Sequence, residues 1–177
     1  MKCQSDLDHF IREALDAVRS MPPPKPPKPE KPKEQIHVLI DTREQTPWKF
    51  SKWATVETVT LSEGDYSLAG FTDKLRIERK SLPDLIGSIT TRREQFMAEC
   101  ERLVAYPFRL LVIEGTKQQV ECEQYRSRIS PASIFGTVSS LYARYGIASE
   151  WWDTHSEAGR RVEWLLRRYQ QIWRPKS

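Results

Sequence analysis

Residues 21–33 read MPPPKPPKPEKPK, with proline at seven of thirteen positions and lysine at four. Proline fixes φ and carries no N–H, so this stretch can join neither a helix nor a sheet ladder. It reads as a semi-rigid polyproline II spacer. Whatever folds must therefore fold on one side of it or the other. On the N-terminal side, Leu7, Phe10, Ile11, Ala14, Leu15 and Val18 recur at i, i+3, i+4 and make one apolar stripe. Ser5 and Asp8 resemble a capping box, and Pro22 ends the helix. The C-terminal side is long enough for one domain with a core. The sequence thus divides into an amphipathic helix over 1–20, a Pro/Lys-rich linker over 21–34 and a globular domain over 35–177.

Composition narrows the class. No run approaches 18 consecutive apolar residues, so no membrane span is expected. Asp6, Asp8, Arg12 and Glu13 occupy the place of a signal peptide's apolar stretch, so secretion is not expected. The three cysteines include no CxxC, which supports neither a disulfide scaffold nor a zinc site and fits a reducing compartment. Lys and Arg number 28 against 24 Asp and Glu, a net charge of +4. That balance permits nucleic-acid binding without demanding it. From Gln35 onward the basic residues are 15 Arg and only 6 Lys, and arginine's planar fork suits phosphate.

Within the domain, apolar and β-branched runs predict strands at His37–Ile40, Thr55–Leu61, Tyr66–Ala69, Leu75–Arg79, Phe108–Glu114 and Ile147–Trp152. Helical periodicity covers Ser81–Ala105, broken near Thr90-Thr91. Ser130-Pro131 opens a helix running to about Tyr145, and Thr154 with Glu157 opens a last one running to about Trp173. The order β-β-β-β-α-β-α-β-α predicts an α/β domain, an antiparallel start followed by alternation, giving a mixed central sheet flanked by helices.

Acidic residues gather where these strands end: Asp41 and Glu44 in DTRE, Asp65 after Gly64, Glu78 in IERK. Lys80 follows Glu78 by two, so both project from one face of their strand while Arg79 points away. Two carboxylates and a lysine suit phosphodiester hydrolysis. Hard cations take carboxylate oxygens, and a neighbouring lysine can orient water and stabilise developing charge.

The string GDYSLAGFTDKLRIERKSLPDLI, residues 64–86, carries GD…ERKxxxD with Gly64, Asp65, Glu78, Arg79, Lys80 and Asp84 in place. With VLIDTRE upstream, it closely resembles the nuclease domain of the XPF/Mus family, which includes archaeal Hef, over about residues 36–174. The resemblance implies a restriction-endonuclease-like nuclease core. It implies Asp65, Glu78 and the backbone carbonyl of Arg79 as metal ligands, Mg2+ as cofactor with Mn2+ as a substitute, and Lys80 as the group that positions the attacking water. Asp41 and Glu44 match the first acidic motif, expected to meet metal through water or to hold neighbouring basic groups. Arg43 and Arg79 are expected to pair with these acids or contact phosphate. Asp84 serves the site or the N-terminus of its helix. One of Arg92 and Arg93 is expected on a DNA phosphate.

The function so implied is a metal-dependent DNA endonuclease acting at branches, flaps or single/double-strand junctions in repair, recombination or phage DNA processing. The alternative is a non-catalytic DNA-binding or scaffold subunit, against which stands the intact motif. Many family members follow this domain with a helix-hairpin-helix module, and this sequence ends at Ser177 without one, so DNA would be held by a homodimer or by a heterodimer with a DNA-binding partner. Localisation would be cytoplasmic in a bacterial or phage-infected cell, otherwise nuclear. Trp151, Trp152, Trp173 and Tyr169 are read as a partner surface and Trp164 as core. Cys100 is read as core, and Glu114 as a group positioning the site or a plain strand-end acid.

Overall fold

The structure, a computed structural model, describes residues 35–174. The helix expected over 1–20 and the linker over 21–34 lie outside the described residues. Six strands form one sheet: β1 Ile36–Asp41, β2 Ala54–Val59, β3 Tyr66–Leu68, β4 Leu75–Ser81, β5 Phe108–Glu114 and β6 Ala148–Trp152, in the order β2-β1-β3-β4-β5-β6. β3 alone runs antiparallel, pairing with β1 and β4, while β1–β2, β4–β5 and β5–β6 are parallel pairs.

The sheet is therefore mixed, but its start is not antiparallel throughout. β1 and β2 are joined by a crossover, residues 42–53, and a connection of about a dozen residues is what parallel neighbours need. The crossover has no helix and is held by Trp48, which is buried, stacks on Tyr66 at 4.3 Å between centroids and donates its backbone N–H to the Tyr66 hydroxyl at 3.0 Å.

The helices are α1 Leu82–Ile89, α2 Arg93–Leu103, α3 Lys117–Glu121, α4 Pro131–Tyr145 and α5 His155–Trp173. Strand alternation sends two cores to opposite faces of the sheet. On one face Ile36, Val38, Ile40, Leu75, Ile77, Leu110 and Val112 pack with Trp48 and with Ala158, Val162 and Leu166 of α5. On the other, Leu111 and Ile113 pack with α1, α2 and α4 and with Val120 of α3. Cys100 is buried there, as expected.

Local chemistry sets the boundaries. Ser81 caps α1 by accepting from Asp84 N–H, and Ser130 caps α4 ahead of Pro131. α4 stops at Gly146, whose φ of +61° only glycine adopts without strain. Thr116 and Gln119 make a full capping box on α3, a T-x-x-Q signal in the sequence that would have revealed this short helix. Trp164 is the other correction: it is 54 % exposed rather than core, because it sits on the side of α5 opposite Val162 and Leu166.

Candidate functional site

Because β1, β4 and β5 are mutually parallel, their carboxyl ends meet at one side of the sheet, the place where open α/β sheets bind ligands. β3 begins at the same side, preceded by Gly64 and Asp65. Gly64 has φ +70°, and a Cβ there would lie 3.2 Å from the Ile77 carbonyl, so the turn needs glycine. Asp65 is then fixed between two strands. Its N–H donates to Ile77 O at 2.9 Å and its carbonyl accepts from Asp41 N–H at 2.8 Å.

A cleft of about 470 Å³ opens here, lined by Arg43, Glu44, Gln45 and Thr46 from the crossover, Asp65, Glu78, Arg79 and Lys80 from β3 and β4, and Asp84, Ser88, Arg92, Gln95, Phe96 and Glu99 from α1 and α2. Glu78 and Lys80 enter it together, with Lys80 Nζ donating to Glu78 Oε1 at 2.8 Å. Lys80 Nζ also lies 5.1 Å from the Phe96 ring centroid. Asp65 Oδ2 accepts from Arg79 N–H at 2.7 Å.

Burial pushes the Asp65 carboxyl up to about 7, helped by the negative charge of Glu78. Burial also raises Glu78, against the pull of Lys80. For Lys80 burial works in the opposite sense, but the Glu78 carboxylate outweighs it and keeps the ammonium charged. These are two carboxylates that repel one another beside one committed cation, an arrangement a divalent ion would relieve.

Not every residue singled out from the sequence reaches the cleft. Asp41 is 1 % exposed and lies outside the cleft lining. Its Oδ1 accepts from Arg43 N–H at 2.8 Å and Arg43 Nε at 2.6 Å, and its Oδ2 accepts from Leu61 N–H at 2.6 Å. Burial opposes its charge, and these bonds outweigh burial and hold its carboxyl below the usual range. Of the two places expected for Asp41, beside metal or holding a basic group, it takes the second. Glu44 does line the cleft, accepting from Thr46 N–H at 2.7 Å and from Arg79 Nη1 at 3.3 Å.

The Arg79 side chain leaves by the opposite face of β4 and forms a two-pronged pair with Glu114, at 2.7 and 2.8 Å. Asp84 accepts from Ser81 Oγ at 2.6 Å at the start of α1, so its carboxylate serves the helix cap while facing the cleft. Arg92 lines the cleft at the N-terminus of α2, whereas Arg93, one position on, faces elsewhere.

Gln95 and Glu99 were missed from the sequence. They share the Arg92 side of α2 at i+3 and i+7 and bond to one another at 3.1 Å. That spacing was the available signal, masked because Phe96, Cys100 and Leu103 on the neighbouring stripe dominate the pattern.

The ERCC4 domain matches residues 40–163, more than half of the chain and every residue that lines the cleft. The chain belongs to the ERCC4 domain family. The solved structures agree on the fold. XPF from Aeropyrum pernix superposes with a TM-score of 0.61 at 23% identity, covering 76% of this chain and 65% of that one. XPF from Aeropyrum pernix in complex with DNA gives 0.64 at 24% identity, covering 81% and 68%. The ERCC4-type chain thus spans about two thirds of the length of these structures. A search of curated proteins returned no match.

The donor set can be tested against a divalent cation. Among the described residues no three His, Cys, Asp or Glu form a ready-made cage. Mg2+ does not require one, since it is commonly held by one or two carboxylates with water and substrate phosphate completing the shell. Asp65 and Glu78, both raised by burial and facing one polar cleft, fit that kind of site.

Proposed function

We propose that the protein is a divalent-metal-dependent DNA endonuclease that hydrolyses phosphodiester bonds at branched, flap or single/double-strand junction structures, in repair, recombination or phage DNA processing. The observation that carries the reading is the convergence of Asp65, Glu78 and the charged Lys80 in one polar cleft. Asp65 and Glu78, with the Arg79 carbonyl, would hold Mg2+, for which Mn2+ would substitute. The ion would supply a lowered water pKa and neutralisation of charge on the scissile phosphate.

The chain's own residues do the rest. Lys80, kept protonated by Glu78, orients the water and faces developing negative charge. Arg92 and Gln95 at the N-terminus of α2 line the cleft, where they would meet the strand that carries the scissile phosphate. Arg79 N–H fixes Asp65 Oδ2, so the carboxylate is positioned before substrate arrives.

The active form is a homodimer, or a heterodimer with a DNA-binding partner. Strong duplex binding draws on roughly 6–10 phosphate contacts, and the net charge of +4 supplies few in excess. Trp164, Ile172 and Trp173 of α5 are exposed and offer large apolar anchors, two of them aromatic, for pairing. Residues 1–34 are dispensable for folding and for cleavage at high enzyme concentration. A truncated chain beginning at Gln35 that is insoluble or inactive would end that part of the proposal.

The deciding experiment incubates purified protein with labelled flaps, forks, junctions and linear duplex, with and without Mg2+. Cleavage of branched substrates is expected only with metal, and Asp65→Ala or Glu78→Ala should abolish it while circular dichroism stays native. Full activity in EDTA, or wild-type rates from Asp65→Ala, would refute the mechanism. DNA binding with no cleavage under any metal would place the chain among non-catalytic subunits. Light scattering across a concentration series, with and without DNA, tests the dimer.

A further inference from the structure

Glu114 ends β5 on the sheet face opposite the cleft, with a side chain 10 % exposed. It collects an unusual number of donors. Oε1 accepts from Arg79 Nε at 2.7 Å and from Trp48 Nε1 at 2.7 Å, Oε2 accepts from Arg79 Nη2 at 2.8 Å, and His155 Nδ1 lies 2.8 Å from Oε1. Three parts of the fold meet on one carboxylate: β4, the crossover and the first residue of α5. Two of them are walls of the cleft. The crossover carries Arg43, Glu44, Gln45 and Thr46 to the lining, and β4 carries Glu78, Arg79 and Lys80.

We infer that Glu114 is a positioning residue for the cleft: from behind the sheet it keeps the Arg79 guanidinium away from Asp65 and Glu78, and through Trp48 it fixes the wall that bears Glu44. The inference rests on the reading of the cleft as a cation-dependent nuclease site. Arg79 is placed between two sets of carboxylates. Its backbone N–H touches Asp65, its Nη1 lies 3.3 and 3.4 Å from the Glu44 oxygens, and its remaining guanidinium nitrogens are spent on Glu114. Without the Glu114 charge, the half-buried guanidinium has Glu44 as its nearest acid, and Glu44 lines the cleft. A permanent cation shifted to that side competes with a divalent ion for the same negative field. The bidentate geometry at Glu114 is the stronger of the two pairs, and it decides which side Arg79 serves.

The test uses the full chain as wild type, Glu114→Gln, Glu163→Gln, Arg79→Gln and the Arg79→Gln/Glu114→Gln double variant. Mn2+ binding is measured by calorimetry, separately from the Mn2+ concentration that gives half-maximal cleavage. Glu114→Gln is expected to weaken Mn2+ binding about tenfold, the size of effect a unit charge exerts when brought within about 4–6 Å. Half-maximal cleavage should move by the same factor, and kcat at saturating Mn2+ should change less than about twofold, since the reacting groups are untouched. Glu163→Gln is the structural control. Glu163 is likewise buried and grips the far end of the crossover, accepting from Ser51 N–H at 2.7 Å and Ser51 Oγ at 2.6 Å, but it contacts neither Arg79 nor the cleft. Its substitution should leave Mn2+ affinity unchanged. The double variant should bind Mn2+ as Arg79→Gln does, because the displaced cation is gone.

Wild-type Mn2+ affinity in Glu114→Gln, equal weakening in Glu163→Gln, or a double variant as weak as Glu114→Gln would each overturn the inference. If Glu114→Gln does not fold, Glu114→Asp, which draws the carboxylate back from Arg79 by one methylene, carries the same expectation at smaller amplitude. A wild-type protein that binds Mn2+ but cuts no DNA would defeat the nuclease reading alone.

Discussion

Two glycines inside helices make opposite predictions for one substitution. Gly136 sits exposed in the middle of α4, and a Cβ built there meets nothing within 4 Å. Gly159 sits buried in α5, and a Cβ there would lie 2.9 Å from Trp48 Cβ, 3.1 Å from Cγ and 3.3 Å from Cδ1. Propensity alone favours alanine by about 0.8–1 kcal/mol at either site. At Gly159 the clash opposes that gain, and the obstacle cannot swing aside. Trp48 is pinned by its stack on Tyr66, by its N–H to the Tyr66 hydroxyl and by its indole N–H to Glu114. α5 and the crossover would have to part by about half an ångström to reach ordinary contact, and overpacking of this kind costs roughly 1–3 kcal/mol. Gly136→Ala is therefore expected to stabilise by about 1 kcal/mol and Gly159→Ala to destabilise by about 1 kcal/mol. The readout is urea unfolding at neutral pH with an unchanged m-value. Gly159→Ala should also slow cleavage, since it displaces Trp48 and the crossover, while Gly136→Ala should not. If both variants stabilise alike, the crossover is not seated tightly on α5, and the account of how the cleft wall is held fails with it.

Other predictions concern charge. Asp65 has a native pKa near 7 against about 3.9 unfolded. Its stabilising contribution is therefore complete below pH 4 and lost as pH rises through 7. Thermal scans without metal should show Tm falling between pH 5 and 8, Mg2+ or Mn2+ should restore it at pH 8, and Asp65→Asn should weaken both effects, leaving the smaller part due to the buried Glu78. A metal-free Tm that is flat over this range would contradict the repulsion in the cleft. Glu114 and Glu163 are held below the usual carboxylate range because their hydrogen bonds outweigh burial. Their contribution is present above the unfolded value of about 4.3 and lost as pH falls through their native values, so acid unfolding should begin below about pH 4 and be blunted in Glu163→Gln. Arg76 is 4 % exposed, has no ion pair among the described residues and leaves Nε without a partner. Arg76→Met should be neutral or stabilising by about 1 kcal/mol in urea titrations, and a loss above about 2 kcal/mol would show that its bonds to Ser67 and Leu75 matter more than its buried charge.

What could be read from the sequence followed from how local the signal was. Glu78 and Lys80 share a face because strand periodicity is two, a rule that needs no tertiary information. Gly64 announces the turn that delivers Asp65. The parallel pairing of β1 with β2 was not legible, because nothing in residues 42–53 shows that Trp48 will dock on Tyr66 and make the connection a crossover. Which of its two expected places Asp41 would take was not legible for the same reason. Its carboxylate is consumed by Leu61 N–H, twenty residues away, and by an arginine that could as well have faced phosphate. Trp164 was assigned to the core on hydrophobicity alone, but a helix lying on one sheet face buries only one stripe, and Val162 and Leu166 already fill it.

The division of labour on β4 explains why three adjacent charged residues are tolerated in a strand at the centre of a sheet. Each is placed where a different neighbour neutralises it. Glu78 and Lys80 go to the α1–α2 face and satisfy one another, at the cost of a carboxylate raised by burial. Arg79 goes to the α5 face, where Glu114 waits at the end of the next strand. A buried charge is costly unless paired and hydrogen-bonded, so the ERK triplet is stable only in a sheet that offers an acid on its far face in that register. Ser81↔Glu114 pairing in β4–β5 supplies that register. A one-residue slip would send Glu78 and Lys80 to the α5 core and turn the Arg79 side chain to the face they leave, removing from the cleft both the candidate metal carboxylate and the candidate water-positioning lysine. The acid that ends β5 and the motif that ends β4 are therefore tied together by one register, across both faces of the sheet.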